Sequence, residues 1–381
     1  MFPAWFPSRE NPLNAIFTKR HIDVISEKNK VVVVYAEKSN LILANRYQID
    51  IDVTNGYPIY ICYFNPSKSK IKILRKLLNY LYKINAFLKA INSTNISIES
   101  YDFIHIHVVS YESIIPLFYK MFKDKNYFVS EHSTGYLRNK NTFSLENVFR
   151  KIILKNSLGI SAVSNSLKNA IENLVPRKEN FPIIPNFVDE HKFTIQTKKK
   201  GEKIKFLHVS RLDEKAKNVI GIINAFKGLN NNQIELHIVG GFENQTSDAE
   251  NYVNDNNLNE NIFFHGVKLG DQILEYYHNC DVLVMFSNYE TQGVVILEAL
   301  FCGKPILATK LPCITEYLNS SNSVLVEPSD VDGLMRNMKM FIEGKWNIWD
   351  SETIALDIKN KFSRKFIEDE FFRYYNNGLK K

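Results

Sequence analysis

Short β-branched runs alternate with amphipathic helical stretches along almost the whole of this 381-residue chain, in two successive series. In the first half VVVVYA (31–36), DFIHIHVV (102–109), YFVSEH (127–132) and GISAVS (159–164) read as strands. In the second half IKFLHVS (204–210), IELHIVG (234–240), NIFFHG (261–266), DVLVMFS (281–287) and KPILAT (304–309) do. Helical patterns lie between them at 111–123, 144–156, 217–229, 270–279 and 293–302. Such alternation predicts right-handed βαβ units and parallel sheets. Two series predict two doubly wound α/β domains, which suits a chain too long for one ordinary core. The junction is FPIIPNFVDEHKF (181–193), followed by the polar, Lys-rich stretch 194–203. Pro182 and Pro185 bar a helix there, so we expect domains at 1–188 and 189–361. The start, MFPAWFPS, leaves four or five residues before Pro7; either strand one is short or the true start lies upstream.

Apolar residues make up 45% and charged residues 23%, a composition that excludes disorder, collagen and coiled coil as the dominant state. No apolar run approaches the roughly 20 residues that span a bilayer, and no secretory leader is expected at the start. Cys62, Cys280, Cys302 and Cys313 show no paired spacing, which fits a reducing compartment rather than a disulfide framework or a zinc site. The net charge of +7 is uneven, being +9 over residues 1–190 and −2 over 191–381. The basic half points to an anionic partner, although heavy use of Lys, Asn and Ile also follows from an AT-rich genome.

The densest constellation is NYETQGVVILEALFCGKPI at 288–306. Glu290, Thr291, Gln292 and Gly293 form a turn after a strand, and VVILEALFC is a helix. Gly303 suits the left-handed position past its end and Pro305 stops it. A helix that opens just beyond the carboxyl end of a parallel strand is an anion site, because its free N–H groups and dipole favour phosphate. Gly293 lets the backbone of Val294 and Val295 approach a ligand closely. Glu290 can accept hydrogen bonds from sugar hydroxyls, and Glu298, in the second helical turn, from a neighbouring hydroxyl pair. Singly, each glutamate reads more readily as a solvated surface residue; the whole arrangement does not.

At these residues the chain resembles the family 4 glycosyltransferases of the GT-B fold. Their signature is two glutamates separated by seven residues, with a small residue and a glycine between, here Glu290-Thr-Gln-Gly293 and Glu298. Gln292 stands where that family has an aromatic. The resemblance implies that the first glutamate meets the donor sugar and the second the ribose. It also implies two Rossmann-like domains with a cleft between them, the final helix (362–381) crossing back onto the first, and retention at the anomeric carbon.

FLHVSRLDEKAKN (206–218) places Arg211 just after a strand and Lys217 near a helix start. Two fixed cations can neutralise a diphosphate leaving group without a metal ion. The resembled family has Arg-Leu, a short gap and Lys-Gly; here the pair is Lys217-Asn218, and Lys215 remains a rival. Gly240-Gly241 and His265-Gly266-Val267 match family positions near the nucleotide.

In the first domain His132 ends a strand, where open α/β sheets bind ligands. The resembled family has a His there beside the reacting sugar and acceptor, so His132 is expected to position or deprotonate the acceptor hydroxyl, against the alternative of a structural hydrogen bond. His105 and His107 share one strand face, but no third metal ligand stands at motif spacing and no metal is expected. The loop PSRENPLNAIF (7–17) resembles the family's phosphate-contacting first loop, with Asn14 at the position usually held by glycine. Ser161-Ala-Val-Ser164 and Pro185-Asn186-Phe-Val-Asp189 also match.

SKSKIKILRKLLNYLYKINAFLKAI (67–91) has seven cations and no acid, with Ile71, Leu74, Leu77, Leu78, Leu81, Ile84 and Leu88 at helical spacing. It reads either as a helix docked on an anionic membrane surface or as one packed on the sheet with a solvated basic face. Asp50-Ile-Asp52 imitates a metal motif of the other glycosyltransferase fold, but it lies in the wrong half and is set aside. The expected activity is hexosyl transfer from a UDP- or GDP-sugar, without a cofactor, to a glycan or lipid-linked acceptor in cell-surface polysaccharide synthesis. The expected setting is cytoplasmic or peripheral on the inner membrane face. The rivals are a nucleotide-sugar 2-epimerase on the same fold and a non-enzymatic membrane- or nucleic-acid-binding protein; no nucleic-acid motif is present.

Overall fold

The computed structural model describes residues 1–12, 14–138, 144–176, 181–196, 203–241, 248–258, 260–268 and 270–380. Two compact units result, Met1–Asn186 with Ile367–Lys381, and Phe187–Phe366. The expected divisions were 188 and 361. Part of the Lys-rich stretch 194–203 lies outside the described residues.

The first unit contains β1 (Phe2–Pro3), β2 (Val33–Lys38), β3 (Tyr47–Asp52), β4 (Ile59–Phe64), β5 (Ile104–His107), β6 (Tyr127–Glu131) and β7 (Gly159–Ala162). β1, β5, β6 and β7 form a parallel sheet in that order, and β2, β4 and β3 form a second one with β3 antiparallel. Two main-chain bonds link the sheets beside β1: the Met1 amino group donates to the Val32 carbonyl at 2.7 Å, and the Val34 N–H to the Met1 carbonyl at 3.0 Å. Strand one is therefore a two-residue element at the centre of the strand order. Asp50 and Asp52 sit on β3, where Arg9 pairs with Asp50 at 2.7 Å and Thr54 and Asn55 bond Asp52. The core joins Ile104, Ile106, Val129, Ile160 and Ala162 of the strands to Phe87, Ile153, Leu154, Leu167 and Ile171 of the helices. Past Ile367 the last helix, Arg364–Leu379, buries Phe371, Tyr374 and Tyr375 in this unit, and the Tyr374 hydroxyl donates to the Val129 carbonyl at 2.9 Å.

The second unit contains β8 (Ile204–Ser210), β9 (Ile234–Gly240), β10 (Ile262–Phe264), β11 (Val282–Met285), β12 (Ile306–Thr309) and β13 (Ser323–Val326) in one all-parallel sheet, ordered β10-β9-β8-β11-β12-β13. Relabelled from one, that order is 3-2-1-4-5-6, the doubly wound pattern whose ligand crevice opens between the first and fourth strands, beyond their carboxyl ends. Both faces of the sheet are covered, one around Leu207, Leu283, Met285 and Phe301, the other around Phe206, Ile223, Val284 and Leu334. Near-continuous apolar strands such as VLVM are what a sheet covered on both faces requires.

Candidate active site

The loops after β8 and β11 carry Arg211, Lys217 and Glu290, so they flank the crevice that the strand order creates. Lys217 Nζ and Glu290 Oε1 form an ion pair across 73 residues of sequence, both side chains largely buried. The Ser287 hydroxyl also donates to Glu290 Oε1, at 3.3 Å. Two further bonds clamp the loops together: the Asn288 N–H donates to the Ala216 carbonyl at 2.8 Å, and its carboxamide to the Lys215 carbonyl at 3.0 Å. Lys215 is exposed, whereas Lys217 reaches inward to the first glutamate of the pair. Arg211 is exposed at the mouth of the same loop.

Local chemistry explains why the chain turns here. Asn218 is left-handed, φ 48°, and separates the short helix Glu214–Lys217 from Val219–Lys227. Asparagine tolerates this conformation better than other residues with a Cβ. The Glu214 carboxylate then accepts from the Val219 N–H at 2.8 Å and the Ile220 N–H at 3.1 Å, satisfying donors at the start of the longer helix. Beneath the loop His208 is fully buried, bonded to the Val284 carbonyl at 2.9 Å and to the Ser210 hydroxyl at 2.8 Å. Burial holds its ring at a pKa of about 4, so it is neutral.

Gly293 precedes the helix Val294–Phe301 with φ 77°. A Cβ there would stand 3.1 Å from Ile296 Cδ1 and 3.3 Å from the Tyr317 hydroxyl. Thr291 is half-buried and Gln292 buried; the Tyr317 hydroxyl donates to the Gln292 carbonyl and fixes the turn. Val294 and Val295 form the first helical turn, with half-buried side chains. Glu298 is 8% exposed and accepts from the Tyr277 hydroxyl at 3.0 Å; it is not a solvated surface residue. Gly303 follows the helix at φ 71°, the conformation its place in the sequence predicts.

Gly240 ends β9 at φ 120°, and a Cβ on it would lie 1.7 Å from the Ser210 carbonyl oxygen. This glycine is demanded by strand-to-strand approach, whatever ligand lies beyond. Gly241, at φ 101°, donates its N–H to that same oxygen at 3.1 Å. Val267 is half-buried in the loop after β10.

Asn14 and His132 belong to the first unit. Among the described residues of the first loop the left-handed one is Ala15, φ 50°, which caps the helix Ile16–Ser26; Asn14 does not take that conformation. Asn14 instead directs its carboxamide to the Tyr35 hydroxyl at 3.4 Å. It lines a pocket of about 360 Å³ with Trp5, Glu10, Tyr35, Glu37 and Lys83. Burial raises the Glu37 carboxyl above its usual range, with the Ser8 hydroxyl bond opposing. Sequence reading passed over this pocket, although Glu37 directly follows VVVVYA at a strand's carboxyl end, where ligands gather.

His132 is the first residue past β6, 5% exposed, its ring stacked on Phe17 at 4.9 Å between centroids. His105 and His107 do share a face of β5, with ring centroids 4.2 Å apart. They do not act as a pair: His105 is bonded to the Tyr375 hydroxyl at 2.6 Å and to Ser130 at 2.9 Å, whereas His107 stands near His21 and His132. Spacing within one strand could not reveal His21, which comes from a helix 86 residues earlier.

Residues 189–353 match the family model described as glycosyl transferases group 1. N-acetyl-alpha-D-glucosaminyl L-malate synthase of Bacillus anthracis is 27% identical over 249 residues, 62% of this chain and 64% of that one. The capsular polysaccharide biosynthesis glycosyltransferase CapM of Staphylococcus aureus is 26% identical over 256 residues, 61% of this chain and 65% of that one. The chain thus matches a little under two thirds of the length of both. Among solved structures, sucrose-phosphate synthase of Thermosynechococcus elongatus has a TM-score of 0.74 at 17% identity, covering 95% of this chain and 92% of that one. Anabaena Alr3699/HepE, solved with UDP and glucose, has a TM-score of 0.73 at 16% identity, covering 98% of each chain. The fold is GT-B, with two Rossmann-like units, and the stretch that matches the glycosyl transferases group 1 model lies within the second unit.

Proposed function

We propose that the chain is a retaining glycosyltransferase. It moves a hexosyl unit from a UDP- or GDP-sugar to a hydroxyl of a glycan or lipid-linked acceptor in cell-surface polysaccharide synthesis. The observation that carries this reading is the Lys217–Glu290 ion pair at the crevice of the second unit. A cation and a carboxylate held together there suit a ligand that combines diphosphate with sugar hydroxyls. Alr3699/HepE, of the same fold, was solved with UDP-glucose, and CapM is a capsular polysaccharide enzyme by name; both support the donor and acceptor classes.

In this reading Arg211, Lys217 and the N–H groups after Gly293 stabilise the departing diphosphate, in place of a divalent ion. Glu290 orients the sugar, and Lys217 holds its carboxylate ready. Glu298, steadied by Tyr277, takes the ribose. Gly240, Gly241 and Val267 border the nucleotide. In the first unit Asn14 and the Glu10–Glu37 pocket receive acceptor hydroxyls, and His132, just past β6, helps to position the acceptor. The exposed apolar and cationic side chains of the helix Lys72–Ser93 bring the protein to an anionic membrane surface, where a lipid-linked acceptor resides. Among the described residues no helix is long and apolar enough to cross a membrane.

Calorimetry against a panel of UDP- and GDP-sugars tests the donor. Binding of at least one sugar nucleotide is expected, and its loss in Glu290→Gln or Arg211→Ala ties it to this site; no uptake of any donor refutes the proposal. Incubation with donor alone then separates transfer from epimerisation, since an epimerase converts its donor without an acceptor.

A further inference from the structure

Three imidazoles from three separate segments converge inside the first unit: His21 on the helix Ile16–Ser26, His107 at the end of β5, and His132 just past β6. One ring nitrogen of each lies within 4.8 Å of the other two. The side chains are 1%, 0% and 5% exposed. We propose that this cluster is a binding site for one divalent transition-metal ion of the zinc class, held by the three rings. The proposal goes beyond glycosyl transfer and does not depend on it.

Hydrogen bonding prepares the cluster for a cation. His21 Nε2 lies 3.0 Å from the Pro185 carbonyl. A carbonyl only accepts, so Nε2 carries the proton in that bond. A metal-bound histidine is commonly oriented by such a bond from its second ring nitrogen to a carbonyl. Neither ring nitrogen of His107 has a hydrogen-bond partner. Those of His132 have none of ordinary geometry; the Asn186 side chain stands beside the ring as a looser acceptor. A buried polar group left unmatched costs about 1–3 kcal/mol. A cation accepting one lone pair from each ring removes part of that cost at a single point.

All three side chains are buried, and an apolar setting favours the neutral imidazole, the form that ligates a metal. The neighbouring His105 is excluded, because both its nitrogens are engaged by Tyr375 and Ser130. Phe17 against His132, and Phe371 against His21 at 5.1 Å between centroids, wall the site with apolar surface. The donor chemistry selects the ion. Three neutral imidazoles suit Zn²⁺, Co²⁺, Ni²⁺ or Cu²⁺, whereas Mg²⁺ and Ca²⁺ demand oxygen ligands. Zinc prefers four ligands at about 2.0–2.1 Å to nitrogen, so small ring rotations draw the nitrogens inward and one position remains for water or hydroxide.

The test is metal uptake by the chelator-stripped full-length chain. Titration with Co²⁺ is expected to give one equivalent per chain and the intense visible absorption of a low-coordinate site. Zn²⁺ displaces it and raises Tm, and Mg²⁺ does neither. His107→Gln and His21→Gln should each abolish the uptake. His237→Gln should keep it, since it alters the separate, half-exposed His237–His265 pair. No Co²⁺ absorption in the wild type overturns the proposal. So does uptake that survives both His107→Gln and His21→Gln, or that disappears in His237→Gln. Should neither variant fold, pulsed EPR of the Cu²⁺-loaded wild type decides: couplings to three imidazoles support the site, and fewer than three overturn it.

Discussion

Asn218 occupies the position where the resembled family has glycine, and it keeps the left-handed turn at φ 48°. The Arg-Leu to Lys-Asn segment therefore does its structural work, and Lys217 rather than Lys215 meets Glu290. Lys217→Ala is expected to lower turnover by ~100-fold or more, against less than a few-fold for Lys215→Ala; steady-state kinetics on the two variants decide the matter. Glu290→Gln should abolish transfer with Tm within a few degrees of wild type. Gly240→Ala should cost ~3 kcal/mol or more, because its Cβ would meet the Ser210 carbonyl; urea unfolding measures it. His208 supplies a pH test. Its ring titrates at about 4 when folded and near 6.5 when unfolded, so between those values the unfolded chain binds more protons. Its contribution is complete above pH ~6.5 and is lost as pH falls toward ~4. The urea midpoint should drop over that window, and by less in His208→Gln. Much of this site was legible as spaced glutamates, glycines and cations. Its pairing was not, since the Lys217–Glu290 contact joins two loops 73 residues apart, and only the strand order brings them together.

Among elements, the strands of the two parallel series were legible because their apolar runs are long and bounded by turn residues. β3, β4 and β13 were not: YQIDID is half polar, whereas IYICYF and SVLV went unread although their runs are no weaker than those of the strands that were read. For β1 the sequence left a short strand or an upstream start open; the two-residue strand is held by main-chain bonds of its neighbours, Met1 to Val32 and Val34 and Ala4 to His107, rather than by propensity. The helix Lys72–Ser93 departs from both simple expectations. Only Ala86, Phe87, Ala90 and Ile91 are buried, so its last turns pack on the unit, while Ile73 and Leu77 remain 81% and 54% exposed. Apolar side chains left in water beside cations fit an interfacial helix better than a packed one. Charge reversal at Lys72, Arg75 and Lys76 is expected to weaken sedimentation with phosphatidylglycerol vesicles at least tenfold, and Ile73→Glu with Leu77→Glu to do likewise at unchanged Tm. Equal binding by either variant would remove the membrane role.

At the scale of the whole molecule, the chain leaves the first unit after Asn186, builds the second, and supplies the first again from Ile367. The aromatic side chains of the last helix are structural parts of that first unit: Phe371 packs on His21, Tyr374 bonds Val129 and Tyr375 bonds His105. Truncation after Phe366 should therefore destabilise residues 1–186 and leave 187–366 nearly as resistant to protease as before. Limited proteolysis with mass spectrometry reads which half is cut. The same path sets a timetable for synthesis. A ribosome translating from the amino end exposes the middle of the chain as a finished unit while the leading half still lacks its closing piece. The portion made first is thus the last to mature, completed only after residues 367–381 have emerged.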